Sequence, residues 1–309
     1  MFTAHFTKGR VALGALAVGA VVALAGCSSS DPLDEGSGAA EGGDTIVIGS
    51  QDYYSNEIVA EIYAQALEDG GFTVQRDFRI GQREIYLPEI ESGSIDVFPE
   101  YGGSLLQALE PDTTATMADD VYSALTEALP DGLRALDAAD ASDQNSYTVT
   151  QAFADQWGLS DIASLSTVTD PIVLGGNSEL QTRPYGPDAL LEKYGVATTF
   201  QAIEDSGGST TVDALTSNQI QLANIYTADP NIESNDLLPL EDPDGLFVAD
   251  NVVPIVSDKV EDDAAEVLNE VSAKLTAEDL VSLNSESVNE QKSAASIATE
   301  WLTSAGLLG

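Results

Sequence analysis

One stretch of the chain occurs twice, and it constrains the fold more than anything else in the sequence. Ile90–Val97 (IESGSIDV) lies without a gap on Leu215–Leu222 (LTSNQIQL), 125 positions further on. Six residues past Ile95 stands Tyr101, and six past Ile220 stands Tyr226. Both copies read as a helix end, a Gly or Asn stop, a short apolar strand and a tyrosine at the strand's exit. Coincidence is the competing reading of a single alignment. Two α/β lobes of similar build, each with a tyrosine at the carboxyl edge of its sheet, explain it better. In the first copy a strand over Ile95–Phe98 is expected to stop at Pro99 and open through Glu100 and Tyr101 into Gly102-Gly103. In open α/β sheets that edge is where ligands bind.

The flanking pattern agrees. Thr45–Gly49 is a continuous β-branched run, Glu57–Leu67 has helical spacing, and Phe72–Phe78 alternates. Glu84–Glu91 is a short helix before the strand at Ile95. Strand–helix–strand–helix–strand predicts a parallel α/β sheet, with the loops Ser50–Tyr54 and Glu100–Ser104 side by side. Helices are expected over Leu105–Leu109 and Met117–Leu129, and Ala141–Val149 crosses to a second lobe. There, Pro171–Gly175 and Thr199–Ile203 read as strands, and Asp188–Tyr194 and Thr211–Ser217 as helices. The Pro/Asp-rich Leu237–Asp250 leads into an apolar strand, Asn251–Val256, that returns to the first lobe. Three helical stretches, Asp262–Leu275, Glu278–Leu283 and Ala294–Leu302, form a layer on that lobe. Thr276 and Asp279 suit a capping box and Trp301 the core.

Composition excludes more than it selects. The chain of 309 residues is 43% hydrophobic, enough for a substantial core, and carries a formal charge of −41. Nucleic acid and anionic lipid would be repelled. The acidity suits a solvated surface, with attraction of cationic ligands as the sharper reading. The only histidine is His5 and the only cysteine Cys27. Without the first 26 residues the chain has no histidine, so Ser-His-Asp and Cys-His arrangements and histidine-ligated zinc are excluded. No disulfide framework, metal or cofactor is expected. Paired acids such as Asp96 and Glu100 leave a carboxylate-only hydrolase formally open.

The N-terminus reads as a processing segment. Met1–Arg10 carries Lys8 and Arg10, and the apolar Val11–Gly26 is short for a membrane span. It ends in Leu24-Ala25-Gly26-Cys27, which resembles the lipobox of bacterial lipoproteins. That implies a signal peptide over 1–26, lipidation of Cys27 (a palmitate-type anchor) and attachment to the outer face of the cell membrane. An ordinary secretory signal with a chance cysteine is the alternative. Residues 27–43, rich in Ser, Gly, Asp and Glu, read as a flexible tether.

Ten tyrosines remain to be placed. Tyr63, Tyr122 and Tyr194 sit on helical faces as core or half-buried residues. Tyr101, Tyr147 and Tyr226 each lie at a strand end beside small polar residues, where a ring can project into a cleft or pack into the core. Rings around one point suit a quaternary ammonium group, which offers no N–H donor and is held by π faces. Arg183 follows a strand and precedes a helix. It suits bidentate capture of a carboxylate, or a salt bridge to a surface acid.

IVIGSQDYY, ALEDGGFTV, SGSIDVFPEYGGS, NSYTV, LQTRPYG, YTAD, GLFVADNVVPIV, LTAEDLVSLN and WLTSAGLL run in order from about Ile46 to Leu308. In order and spacing they resemble substrate-binding proteins of ABC importers for glycine betaine, choline, carnitine and related osmoprotectants. The resemblance implies a two-lobed, periplasmic-binding-protein-like α/β fold (type II). Each lobe would be a mixed sheet flanked by helices, with the ligand cleft between: lobe I over 44–145 and 248–309, lobe II over 146–247. It implies that Tyr101, Tyr147 and Tyr226 cage a trimethylammonium group and that Arg183 holds the ligand carboxylate. Ser104 stands where a threonine usually assists, and Asn145 at a position lining the cage. Gln51 replaces a lysine of many members, and Asp250 falls where many have a fourth cage tyrosine. Tyr53, Tyr54 and Tyr185 are available to refill that place. The implied function is capture of a quaternary ammonium osmolyte, glycine betaine first, by a monomer that hands it to an ABC permease with its ATPase and is no enzyme. Choline, another small cationic or zwitterionic metabolite, or ligand sensing without transport are the alternatives.

Overall fold

A computed structural model describes residues 45–309; the expected signal segment, Cys27 and the tether lie outside them. The first stretch comprises β1 (Ile46–Gly49), α1 (Tyr54–Asp69), β2 (Val74–Asp77), α2 (Arg83–Glu91), β3 (Val97–Tyr101), α3 (Gly102–Leu109), α4 (Ala118–Ala128) and β4 (Leu133–Ala135). The second comprises β5 (Asn145–Thr150), α5 (Gln151–Trp157), β6 (Ile172–Gly176), α6 (Pro187–Tyr194), β7 (Thr198–Ala202), α7 (Ser209–Thr216), β8 (Leu222–Tyr226), α8 (Asn231–Ser234) and β9 (Leu237–Pro239). The chain ends with β10 (Val252–Ser257), α9 (Asp262–Ser272), α10 (Ala277–Asn289) and α11 (Ala294–Ala305).

The strands form two sheets of the same layout, β2-β1-β3-β10-β4 and β7-β6-β8-β5-β9. In each, three strands run parallel and the fourth is antiparallel to both its neighbours. Both are mixed sheets flanked by helices; the body around each is a lobe. The chain passes from the first sheet to the second between β4 and β5 and returns between β9 and β10. The two crossings run side by side. Ser142 bridges to Asn251, Ser142 Oγ donates to Asp250 O (3.1 Å) and Gln144 Nε2 to Val248 O (2.9 Å).

The repeat in the sequence is one piece of structure made twice. Gly93 and its counterpart Asn218 both take positive φ, +73° and +59°, a conformation open to Gly and, among other residues, best tolerated by Asn. Ser94 N and Ile95 N both donate to Glu89 O, as Gln219 N and Ile220 N do to Ala214 O. Asp96 N donates to Val47 O while Asp96 Oδ2 accepts from Val47 N; Gln221 repeats both bonds with Val173. Each copy ends in a five-residue strand whose last residue is the tyrosine.

Three local expectations are corrected. β3 starts two residues later than predicted and runs through Pro99 to Tyr101. Pro99 faces Pro254 on β10, a pairing tolerated where the N–H groups would point away from the partner strand. Gly102-Gly103 is no open loop but the first turn of α3. A Cβ on Gly103 would lie 2.4 Å from Ala249 O and 2.3 Å from Val248 Cγ2, so the glycine lets the second crossing lie against the helix. α1 starts at Tyr54 because its polar first turn bonds to distant elements. Asn56 accepts from Gln51 N (2.8 Å) and donates to Pro99 O (2.7 Å). The three-residue β4 and β9 were too short to show a period.

The C-terminal helices cover α1. Trp301, Leu302 and Leu268 share a core with Ile58, Ile62 and Tyr63, and the capping box of Thr276 and Asp279 is formed. A second cluster around Tyr86, Phe98 and Leu106 fills the other side of the first sheet.

Candidate functional site

The two strand-end tyrosines meet through a third ring. Tyr53, the residue before α1, stacks on Tyr226 with ring centroids 5.1 Å apart and planes at 24°. On Tyr101 it stacks at 6.3 Å and 29°. Tyr53 and Tyr101 come from the first lobe and Tyr226 from the second, so the stack spans the cleft. Burial pushes the Tyr53, Tyr101 and Tyr226 phenols up, and the charge of nearby Asp143 adds to it in each. Asp143, on the first crossing, is 2% exposed. It accepts from Ser55 Oγ (3.2 Å) and Ala228 N (2.8 Å). Burial pushes its carboxyl up to about 7, opposed by the Ala228 bond and reinforced by the like charge of Asp229. Nearby, Tyr54 OH donates to Asp229 Oδ2 (3.1 Å), a further link between lobes.

Arg183 lies beside this stack, after a 3-10 turn over Ser178–Thr182. Its Nη1 donates to Tyr185 OH (3.2 Å) and its Nη2 to Glu84 Oε2 on α2 of the first lobe (3.0 Å). A cavity of about 20 Å³ touches Arg183, Tyr185, Asn224 and Tyr226. A larger one of about 640 Å³ touches Arg183, Tyr185, Ser104, Glu84 and Leu87. The buried side-chain groups without a hydrogen-bond partner include Tyr101 OH, Arg183 Nε and Gln51 Nε2. Orphaned buried groups are rare in native proteins and call for a reason.

Tyr147 is not in the stack. It is fully buried in the second lobe's core, its hydroxyl donating to Tyr185 O (2.5 Å) and its ring edge-on to Phe247 at 5.2 Å. Tyr185 links it to Arg183, whose Nη1 donates to the Tyr185 hydroxyl. Asp250, looked for on the far wall of a cage, has both oxygens engaged: Oδ1 accepts from Ser104 N (2.8 Å) and Oδ2 from Ser104 Oγ (2.6 Å). It thereby caps α3, whose own N-cap residue Tyr101 supplies no side-chain acceptor. Burial pushes Asp250 up to about 6 against these two bonds. Ser104 Oγ also accepts from Asn145 Nδ2 (3.2 Å), and Asn145 Oδ1 accepts from Asn224 Nδ2 (3.1 Å). Ser104, Asn145 and Asp250 therefore form a knot at the crossings, and the one hydroxyl proton of Ser104 goes to Asp250.

The acids once paired as catalytic candidates have structural partners. Glu100 is buried and receives Arg83 through two bonds (3.0 and 2.9 Å) and Tyr86 OH (2.7 Å). Asp96 accepts from Val47 N, Ser257 Oγ and Lys259 Nζ. Among the described residues no group of His, Cys, Asp and Glu suits a metal ion, and no helix is long and apolar enough to cross a membrane. Sequence reasoning missed Asp143 and Glu84. Neither carries a local signal: Glu84 is one acid among many, and its partner lies 99 residues away.

Comparison with known proteins identifies the family and the fold. Residues 44–304 match the family described as the substrate binding domain of ABC-type glycine betaine transport systems. The glycine betaine-binding protein YehZ of Escherichia coli (strain K12) is 24% identical over 276 residues, 84% of this chain and 90% of that protein. A crystal structure of a glycine betaine/carnitine/choline ABC transporter protein covers 85% of this chain and 100% of its own with TM-score 0.69 and 17% identity. The lactococcal glycine betaine-binding domain, in its closed, liganded form, covers 84% of this chain and 95% of its own with TM-score 0.61 and 13% identity. These likenesses of fold place the two mixed sheets among type II periplasmic binding proteins. With most of its length matched to the family model, the chain belongs to the substrate-binding domains of ABC-type glycine betaine transport systems.

Proposed function

We propose that the protein captures a quaternary ammonium osmolyte, glycine betaine first, between its lobes and delivers it to an ABC permease driven by an ATPase. The observation that carries this reading is the Tyr101–Tyr53–Tyr226 stack, drawn from both lobes at the carboxyl ends of twin strands. A cation over an aromatic face is held within about 6 Å of the ring centroid, and a desolvated contact contributes about 2 kcal/mol. Tyr53 and Tyr226, 5.1 Å apart, leave no room between their faces for a trimethylammonium group. The lobes therefore part to admit it and close with the rings around it. Two of the buried unpartnered groups, Gln51 Nε2 and Arg183 Nε, can only donate. A carboxylate is acceptor only, which supports a zwitterion over a bare cation. Asp143 beside the rings favours the second reading, a carboxylate-free cation such as choline.

In this proposal lobe I covers 44–145 and 248–309 and lobe II 146–247. Tyr53 supplies the third ring beside Tyr101 and Tyr226, while Ser104, Asn145 and Asp250 set the hinge side of the site. The lipobox-like LAGC at 24–27 supports a lipid-anchored, extracytoplasmic protein, and the engaged Asp96 and Glu100 support binding without catalysis.

Titration calorimetry with glycine betaine, carnitine and choline tests it. At least one trimethylammonium compound binds, and Tyr226→Ala weakens it more than tenfold, consistent with one cation–π contact of about 2 kcal/mol. Binding of none, or full affinity in the variant, refutes the proposed site.

A further inference from the structure

Arg183 is the group proposed to hold the acid end of the ligand, yet a carboxylate of the protein already sits on it. Glu84 Oε2 accepts from Arg183 Nη2 across the cleft at 3.0 Å. Among the described residues this is the only ion pair that joins the two lobes; the others lie within the first lobe.

The two partners are unequally bound to the pair. The Arg183 side chain is 15% exposed and the Glu84 side chain 53%. Glu84 lies in the first turn of α2, where a negative charge is favoured by the helix dipole with or without a cation. It is not needed next door, because the buried Arg83 is neutralised by Glu100. Glu84 can therefore return to water at little cost. Arg183 cannot: its Nε is buried and unpartnered and its Nη1 reaches only a phenol. Nε and Nη2 are adjacent donors on one edge of the guanidinium plane, the edge that a carboxylate takes with two oxygens. Glu84 uses only Nη2.

We propose that Glu84 is a specificity-determining residue. It occupies Arg183 in place of a ligand carboxylate, so a zwitterion must displace it, whereas a cation without a carboxylate need not. Glu84 thus lowers affinity for betaines selectively. The role deepens the reading of the cleft as a quaternary ammonium site and rests on it.

The test is calorimetric titration of the full chain and its Glu84→Gln variant with glycine betaine and with choline, in low salt and in about 1 M salt. Glu84 is largely exposed, so the substitution leaves the fold intact. Displacing a half-exposed ion pair corresponds to roughly a two- to fivefold change in binding. Glycine betaine should bind the variant tighter by that factor in low salt, choline should bind both proteins equally, and the difference should shrink in high salt. Equal betaine affinity in the two proteins overturns the role of Glu84 and leaves the binding site standing. So does weaker betaine binding by the variant, which would make Glu84 a positioning partner of Arg183. If the wild-type chain binds neither compound, the reading of the cleft fails and Glu84's role falls with it.

Discussion

Replacing Asp143 by asparagine should make the protein more stable at neutral pH and leave it nearly unchanged in mild acid. The Asp143 carboxyl is pushed from 3.8 up to about 7 by burial. A raised carboxyl binds its proton more tightly in the folded chain than in the unfolded one, so stability falls as pH rises between the two values. The penalty is absent below about pH 4 and complete above about pH 7. At about 1.4 kcal/mol per unit, the three-unit rise sets a ceiling of about 4 kcal/mol. Asparagine removes the charge and keeps the bonds. Its oxygen still accepts from Ala228 N, and its amide donates to the Ser55 hydroxyl, which then accepts. Thermal unfolding of both proteins between about pH 4 and pH 8 measures the effect. A chain of this size gains roughly 2–4 °C per kcal/mol. Repulsion from the net charge of −41 acts on both proteins alike, so their difference isolates Asp143. Curves that stay parallel across the range, or a variant less stable at about pH 8, would refute a buried, charge-penalised Asp143.

Three further expectations concern the frame of the fold. Gly103→Ala drives a Cβ to within 2.4 Å of the Ala249 carbonyl, and the crossing must shift. Urea unfolding should show a loss of about 1–3 kcal/mol, the range for overpacking. Arg83→Ala strands Glu100, which is 0% exposed, and should cost about 3–5 kcal/mol. Glu68→Gln breaks a pair with Arg76 at a half-exposed carboxylate and should cost about 0–1 kcal/mol. Equal losses for the last two would mean that burial does not set the value of these pairs.

The sequence by itself determined the architecture around the cleft. The stop at Gly93 and Asn218, the apolar strand after it and the tyrosine at its end are local matters of backbone freedom and periodicity. They could be seen twice without any structure. The C-terminal helices and their capping box were legible for the same reason. Tertiary structure alone decided which of these residues meet. Tyr53 was one of three candidates for a vacant ring position until the start of α1 put it between Tyr101 and Tyr226. Tyr147, alike in its local sequence, turned into the second core toward Tyr185 and Phe247. Asp250 reads as a cage residue in sequence and caps α3 in space, because Ser104, 146 residues away, presents an N–H with no local acceptor. Glu84 and Arg183 gain their meaning only when two lobes bring residues 99 positions apart within 3.0 Å. A short strand and its tyrosine are set by neighbours along the chain; the partner of a buried charge or ring is set by neighbours in space.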